Sequence, residues 1–251
     1  MRIANAPVSY GAFELTVGVV PNVPDADRVL DAIAEAGYDG TELGPLGYLG
    51  KGELLDERLR RRGLALAGAF VEIRFGTESL GELERTLDSI AGHDAKAVLC
   101  DKGPREGEVD LTAVSEAAEL VRARSFEPTF HPHLGTRVQT PPEIERVLAG
   151  TDVPLLLDTG HVSAAGGDPL AAVREWGDRI NHVHLKDVRE GVFCELGAGE
   201  VDLAGVVAAL DGYAGWLVVE HDWIPKPGEE PDAQIEAQAR NRRWLREHAG
   251  V

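Results

Sequence analysis

The chain has 251 residues, 43% of them apolar, and 25 Lys and Arg stand against 43 Asp and Glu, a formal charge of -18. A chain of this length buries roughly three quarters of its extended surface on folding, which suits one (β/α)8 barrel better than two ordinary domains. A surface this acidic repels phosphate backbones and anionic membranes, so nucleic acid is not the expected substrate; a small neutral ligand responds only to local fields.

Short apolar runs alternate with amphipathic stretches along the whole chain. The runs predict strands at 2–6 (RIANA), 38–43 (YDGTEL), 64–71 (LALAGAFV), 96–100 (KAVLC), 126–131 (FEPTFH), 154–158 (PLLLD), 180–185 (INHVHL) and 215–220 (GWLVVE). Between them, segments such as DADRVLDAIAEAG and DLTAVSEAAELVRA carry apolar residues at i, i+3, i+4 and i+7, the helical period. Asp and Thr recur near helix starts, and Gly37, Gly63 and Gly92 follow helix ends. Strands alternating with helices imply a parallel sheet, and eight such units close a barrel. The same alternation allows an open doubly wound sheet, but no glycine-rich phosphate loop follows the first strand. One barrel domain over 1–251 is expected. The Pro-rich segment 222–235 reads either as a flap over a site or partner surface, or as a plain loop into the last helix.

Cys100 and Cys194 are too few for a disulfide framework and suit a reducing compartment. The N-terminal MRIANAPVSYGAFEL lacks the apolar stretch of a signal peptide. No segment reaches the roughly 18 uninterrupted apolar residues of a membrane helix. A cytoplasmic protein with no membrane partner is expected.

Four strand ends concentrate polar chemistry. The fifth ends in His131-Pro132-His133, the sixth in Asp158-Thr159-Gly160-His161, the seventh in His182-Val183-His184-Leu185-Lys186-Asp187 and the eighth in Glu220-His221-Asp222. In a barrel these ends are neighbours on one rim. N and O donors from neighbouring strands suit a divalent cation of the Mn, Co, Mg or Zn kind and disfavour copper(I) or an iron–sulfur cluster. Any one of these histidines reads as a satisfied core residue; five histidines with two carboxylates on one rim do not. His182 and His184 alternate by two, so both face inward; His184, nearer the rim, is the better ligand, and His182 suits a packing or supporting place below it.

The spacing Asp158-x-x-His161, the His182-x-His184 pair and Glu220 resemble the sugar isomerase/epimerase superfamily of xylose-isomerase-like barrels, which includes endonuclease IV. Within it, GYDGTELGPLGYL (37–49), FHPHLGTRVQT (130–140), LLLDTGHVSAAGGDP (155–169), DRINHVHLKDVR (178–189) and GWLVVEHDW (215–223) look like the inosose dehydratases of inositol catabolism. The superfamily's metal site is usually Glu, Asp, His and Glu from strands five to eight. The resemblance therefore implies Asp158, His184 and Glu220 as ligands, with His131 in the place of the first glutamate. Ketose epimerases carry an acid/base glutamate six residues on, where this chain has Arg137; and Tyr10 stands where the dehydratases more often show Trp.

The resemblance implies dehydration of a 2-keto-inositol-like cyclic ketone. A metal on His131, Asp158, His184 and Glu220 would stabilise an enediolate while an acid and a base move protons. His161 and Lys186 are the acid/base candidates, in an order the sequence leaves open. Glu42 is a third catalytic candidate or a substrate-hydroxyl acceptor, and reads equally as a turn cap. His133, Arg137 and His182 are candidate substrate-binding residues, Arg137 reading also as a surface loop residue. The rivals are a metal-dependent aldose–ketose isomerase or 3-epimerase, a nuclease of the endonuclease IV kind, which the charge opposes, and a barrel that binds a sugar or partner without turnover. A small polyol or sugar ketone is the expected partner, with a homodimer suggested by relatives that pair.

Overall fold

The computed structural model describes residues 1–226 and 228–251. The strands follow one another as β1 (Arg2–Asn5), β2 (Gly40–Glu42), β3 (Ala65–Ile73), β4 (Lys96–Asp101), β5 (Glu127–His131), β6 (Leu155–Asp158) and β7 (Ile180–Leu185). A short antiparallel hairpin, β8 (Asp187–Arg189) with β9 (Val192–Cys194), precedes β10 (Trp216–Val219). β1 to β7 and β10 run parallel, and β10 pairs back onto β1, so the sheet closes into a (β/α)8 barrel.

Helices cover the outer face because each carries one apolar stripe. α1 (Ala26–Ala36) buries Val29, Leu30 and Ile33 against the strands. Asp25 caps it by accepting from the Arg28 amide, and Gly37 ends it at φ 82°, a left-handed conformation that glycine adopts without a Cβ clash. α2 (Glu53–Arg62), α3 (Gly81–Ser89) and α4 (Leu111–Ala123) repeat the pattern. α5 (Pro141–Gly150) opens with a reciprocal capping box between Thr140 and Glu143. The short α6 (Thr159–Ala164) follows β6 without a linker, then α7 (Pro169–Trp176), α8 (Leu203–Ala209) and α9 (Asp232–Trp244) complete the ring. Most of the core lies between strands and helices; Ala4, Ala6, Ala67, Trp216 and Val218 form a separate small cluster. Among the described residues, no helix is long and apolar enough to cross a membrane.

Differences from the predicted elements are local. β3 extends to Ile73, two residues past the predicted end, because its last turns still pair with β4 out to Asp101. Tyr38 and Asp39 precede β2 instead of joining it; the Asp39 carboxylate accepts from the Ile3 amide. The hairpin β8–β9 lies where no strand was predicted. Its anchor is Asp187, whose carboxylate accepts from the amides of Val188, Gly197, Gly199 and Val201. In the segment 222–235, position 227 lies outside the described residues. The rest is a loop held down at both ends: Pro225 packs onto Gly11, where an added Cβ would lie 2.7 Å from its Cδ, and Asn22 Nδ2 donates to the carbonyls of Lys226 and Glu229. Asp232 then opens α9.

Candidate active site

The C-terminal ends of β5, β6, β7 and β10 deliver their side chains to one buried volume. His131, Asp158, His161, His184, Lys186 and Glu220 are each 6% exposed or less. Asp158 divides its carboxylate. Oδ1 caps α6 by accepting from the His161 amide at 2.8 Å, while Oδ2 faces the cluster with no hydrogen-bond partner. The Thr159 hydroxyl donates to the Lys186 carbonyl and accepts from the Lys186 amide, tying the start of α6 to the end of β7.

Distances around Asp158 Oδ2 describe a shell. His131 Nε2 lies 3.7 Å from it and His184 Nδ1 3.5 Å, while His184 Nδ1 approaches Glu220 Oε2 to 2.9 Å without hydrogen-bond alignment. Donors about 2.1 Å from a common ion sit roughly 3.0–3.4 Å from one another in octahedral or tetrahedral arrangements. The tautomer of His131 sharpens the point. Its Nδ1–H donates to the Pro132 carbonyl at 2.7 Å, and burial, helped by His184, lowers its pKa to about 3, so Nε2 presents a lone pair to a carboxylate oxygen. Two acceptors aimed at each other in a buried site call for a cation between them. The four residues fit a divalent ion. His131, Asp158 and His184 alone already satisfy the spacing of a metal-ligand group.

The cationic need is met in part by Lys186. Its Nζ lies 2.9 Å from Glu220 Oε2, 3.0 Å from Asp222 Oδ2 and 3.2 Å from Asp158 Oδ2. Burial by itself would lower the Lys186 pKa; Asp158, Asp222 and Glu220 outweigh it and hold the ammonium charged. Burial likewise opposes the charged forms of Asp158 and Glu220, and the neighbouring Lys186 and His184 keep both carboxylates ionised. Three carboxylates, Asp158, Glu220 and Asp222, thus surround one ammonium, while Glu42 lies on the far side of His184.

His161 is the contrary case. Burial, then the Lys186 charge, drive its pKa well below the usual value against the pull of Asp158. Its Nε2 lies 3.2 Å from Lys186 Nζ. The half-buried His133 lies against His161 with ring centroids 4.0 Å apart and the rings tilted by 44°. Two groups that no sequence signal ranked complete the wall. Phe193 of β9 meets His161 edge-on at 5.3 Å and lies under the Lys186 ammonium. Asp222 was legible only as the third residue of Glu220-His221-Asp222.

Arg137, His182 and Glu42 are engaged by other groups of the protein. Arg137 grips Asp101 of β4 through Nε at 3.0 Å and Nη2 at 2.6 Å, and donates also to the carbonyls of Glu108 and Phe75. Its fork is satisfied by the protein, so it ties the loop after β5 to the end of β4. His182 is fully buried one layer below His184, with Nε2 on Glu42 at 2.8 Å. Glu42 is 3% exposed and meets His184 Nε2 at 3.2 Å.

Residues 104–248, more than half of the chain, match the family described as xylose isomerase-like TIM barrel. The chain is 30% identical to the inosose dehydratase of Erwinia tasmaniensis, over 89% of this chain and 90% of that one. It is 31% identical to the inosose dehydratase of Geobacillus kaustophilus, over 89% and 88%. The crystal structure of IOLI protein with a binding zinc atom superposes over the full length of both chains with a TM-score of 0.76 at 15% identity, a likeness of fold. The chain is an enzyme and belongs to the xylose isomerase-like TIM barrel family.

Proposed function

We propose that the chain eliminates water from a cyclic polyhydroxy ketone of the 2-keto-inositol class, at a divalent cation held by His131, Asp158, His184 and Glu220. The observation that carries this reading is the convergence of His131 Nε2, His184 Nδ1 and Glu220 around Asp158 Oδ2, a buried carboxylate oxygen without a hydrogen bond among the described residues. Inosose dehydratases among the relatives supply the substrate class. When bound, a divalent cation supplies Lewis-acid stabilisation for the ketone oxygen as it gains negative charge.

The protein's own groups divide the proton work. His161, held neutral, is the base for the proton α to the carbonyl. Lys186, held as an ammonium, is the acid for the departing β-hydroxyl. In the resting site Lys186 donates to His161 Nε2; a substrate hydroxyl that draws the ammonium onto itself frees that lone pair. Loss of the α proton leaves its electron pair delocalised onto the ketone oxygen; that pair then forms the Cα–Cβ double bond as the C–O bond breaks, and water leaves with the Lys186 proton. The 3.2 Å link then returns the proton from His161 to Lys186. Asp222, 22% exposed at its side chain, holds Lys186 toward the mouth, and Phe193 and His133 wall the ring's binding space.

The test is incubation of protein loaded with Mn2+ or Co2+ with 2-keto-inositol and, separately, with common ketoses. Growth of the absorbance of an α-hydroxy enone, the enol form of a 1,2-diketone, is the expected result. Interconverted ketoses without that absorbance would replace the dehydratase with an isomerase or 3-epimerase, which uses the same charge-stabilising cation.

A further inference from the structure

We propose that Glu42 is a positioning residue: it fixes His184 in the tautomer that leaves Nδ1 free to face the cation. This rests on the metal reading above and assigns Glu42 a part in it that involves no contact with substrate or ion.

The geometry begins in the strands. The pairing of β2 with β3 slips by one residue between Thr41 and Glu42, so that Glu42 lies opposite Gly68. Gly68 makes the seat. A Cβ there would lie 2.8 Å from Glu42 Oε1 and 3.3 Å from Val98 Cγ2, so any larger residue would push the carboxylate out. From this seat Oε1 meets His182 Nε2 at 2.8 Å and His184 Nε2 at 3.2 Å. An ionised carboxylate only accepts, so each imidazole presents Nε2–H to it. In a neutral imidazole with its proton on Nε2, Nδ1 carries the lone pair. For His184 that atom faces Asp158 Oδ2 and Glu220 Oε2, the centre of the ligand set.

His182 explains why one carboxylate serves two rings. Fully buried and directed at the same oxygen, it holds Glu42 from below, so that the carboxylate cannot turn away from His184. Partners of this kind behind a metal-bound imidazole contribute about 10- to 100-fold in metal affinity by orienting the ring and raising its basicity.

The experiment is calorimetric titration of the chelator-treated full-length protein with Zn2+, for wild type, Glu42→Gln and Asp158→Asn, together with nitrogen-15 spectra of the zinc-loaded histidines. Wild type is expected to bind through His184 Nδ1 with Nε2 protonated. Glu42→Gln should weaken zinc binding by about 10- to 100-fold and mix the His184 tautomers, while Asp158→Asn removes a ligand outright. Equal zinc affinity and an unchanged His184 spectrum in Glu42→Gln would overturn the inference alone. Coordination of wild type through Nε2 would do the same. No zinc binding by wild type would overturn the metal reading and this inference with it. If Glu42→Gln does not fold, Gly68→Ala makes the same test with the charge intact: displacing the carboxylate should produce the same loss, and wild-type affinity would again overturn the inference.

Discussion

Lys186 Nζ and His161 Nε2 stand 3.2 Å apart in a buried site, the first held charged by its carboxylate neighbours and the second held neutral by burial and by the Lys186 charge. Sharing a bond lets an acid and a base keep opposite protonation states at one pH. Removing either should lower the dehydration rate by about 10²- to 10⁴-fold. The variants separate by deuterium exchange at the substrate's α-carbon. Lys186→Met should keep exchange while losing water elimination, because the base is still present; His161→Gln should lose both. Equal loss of exchange in the two variants would sink the assignment of base to His161.

Cation binding should release a proton near neutrality. Burial disfavours the charged form of His184, but Glu220 and Glu42 outweigh it and raise the pKa well above the ordinary value, so the ring holds two protons before the ion arrives. Nδ1 must give one up to become a ligand. A raised pKa means that acid strengthens the competing proton. Affinity should therefore fall by about tenfold for each pH unit below that pKa. Titration with Mn2+ in two buffers of different ionisation heat measures the released proton. No difference between the buffers at pH 7 would show that His184 is already neutral.

The barrel was legible because each strand is a short apolar run bounded by turn residues, and boundaries moved only where pairing with a neighbour decides them, as at Ile73. The convergence of the candidate ligands was legible for the same reason: Asp158, His184 and Glu220 lie at or one residue before the ends of predicted strands, and position on a barrel strand fixes both the facing and the height of a side chain. Arg137 was not. It lies on a loop after β5 where nothing local sets its direction, and its partner Asp101 is 36 residues away on another strand. Glu42 was visible as a strand-end carboxylate, but its depth depends on a register slip and on the empty space over Gly68, neither of which has a signature in one strand's pattern. Phe193 reaches the site only because Asp187 gathers four amides and folds the hairpin back.

The Arg137–Asp101 pair makes a stability prediction that separates cross-link from substrate binder. Asp101 is fully buried and Arg137 supplies it with two aligned N–H donors. Arg137→Ala strands a buried carboxylate and should cost about 3 kcal/mol of unfolding free energy. Asp101→Asn in the same background should recover part of that loss by removing the orphaned charge. Denaturant unfolding reads both. KM for the ketone should stay near wild type in whichever variants fold, and a large rise in KM with unchanged stability would return Arg137 to the substrate.

Gly160 sets how closely α6 can approach the end of β7. An added Cβ would lie 2.5 Å from Lys186 Cβ and 2.9 Å from Phe193 Cε1. Two effects compete in Gly160→Ala. Alanine is favoured over glycine in a helix by about 1 kcal/mol, while overpacking a filled site costs about 1–3 kcal/mol. The Lys186 Cβ is fixed to the backbone of the strand end and cannot swing aside, so the steric term should win by a small margin and act through the position of the ammonium. A displacement on the order of 1 Å at a proton-donating group lowers rate by about 10²-fold. The expected result is a folded protein with a modestly lowered melting temperature and a dehydration rate far below wild type. Combining it with Phe193→Ala should recover stability, by clearing the 2.9 Å clash, without recovering rate, because the 2.5 Å clash remains. Wild-type rate in Gly160→Ala would mean that the placement of Lys186 is not what limits the reaction.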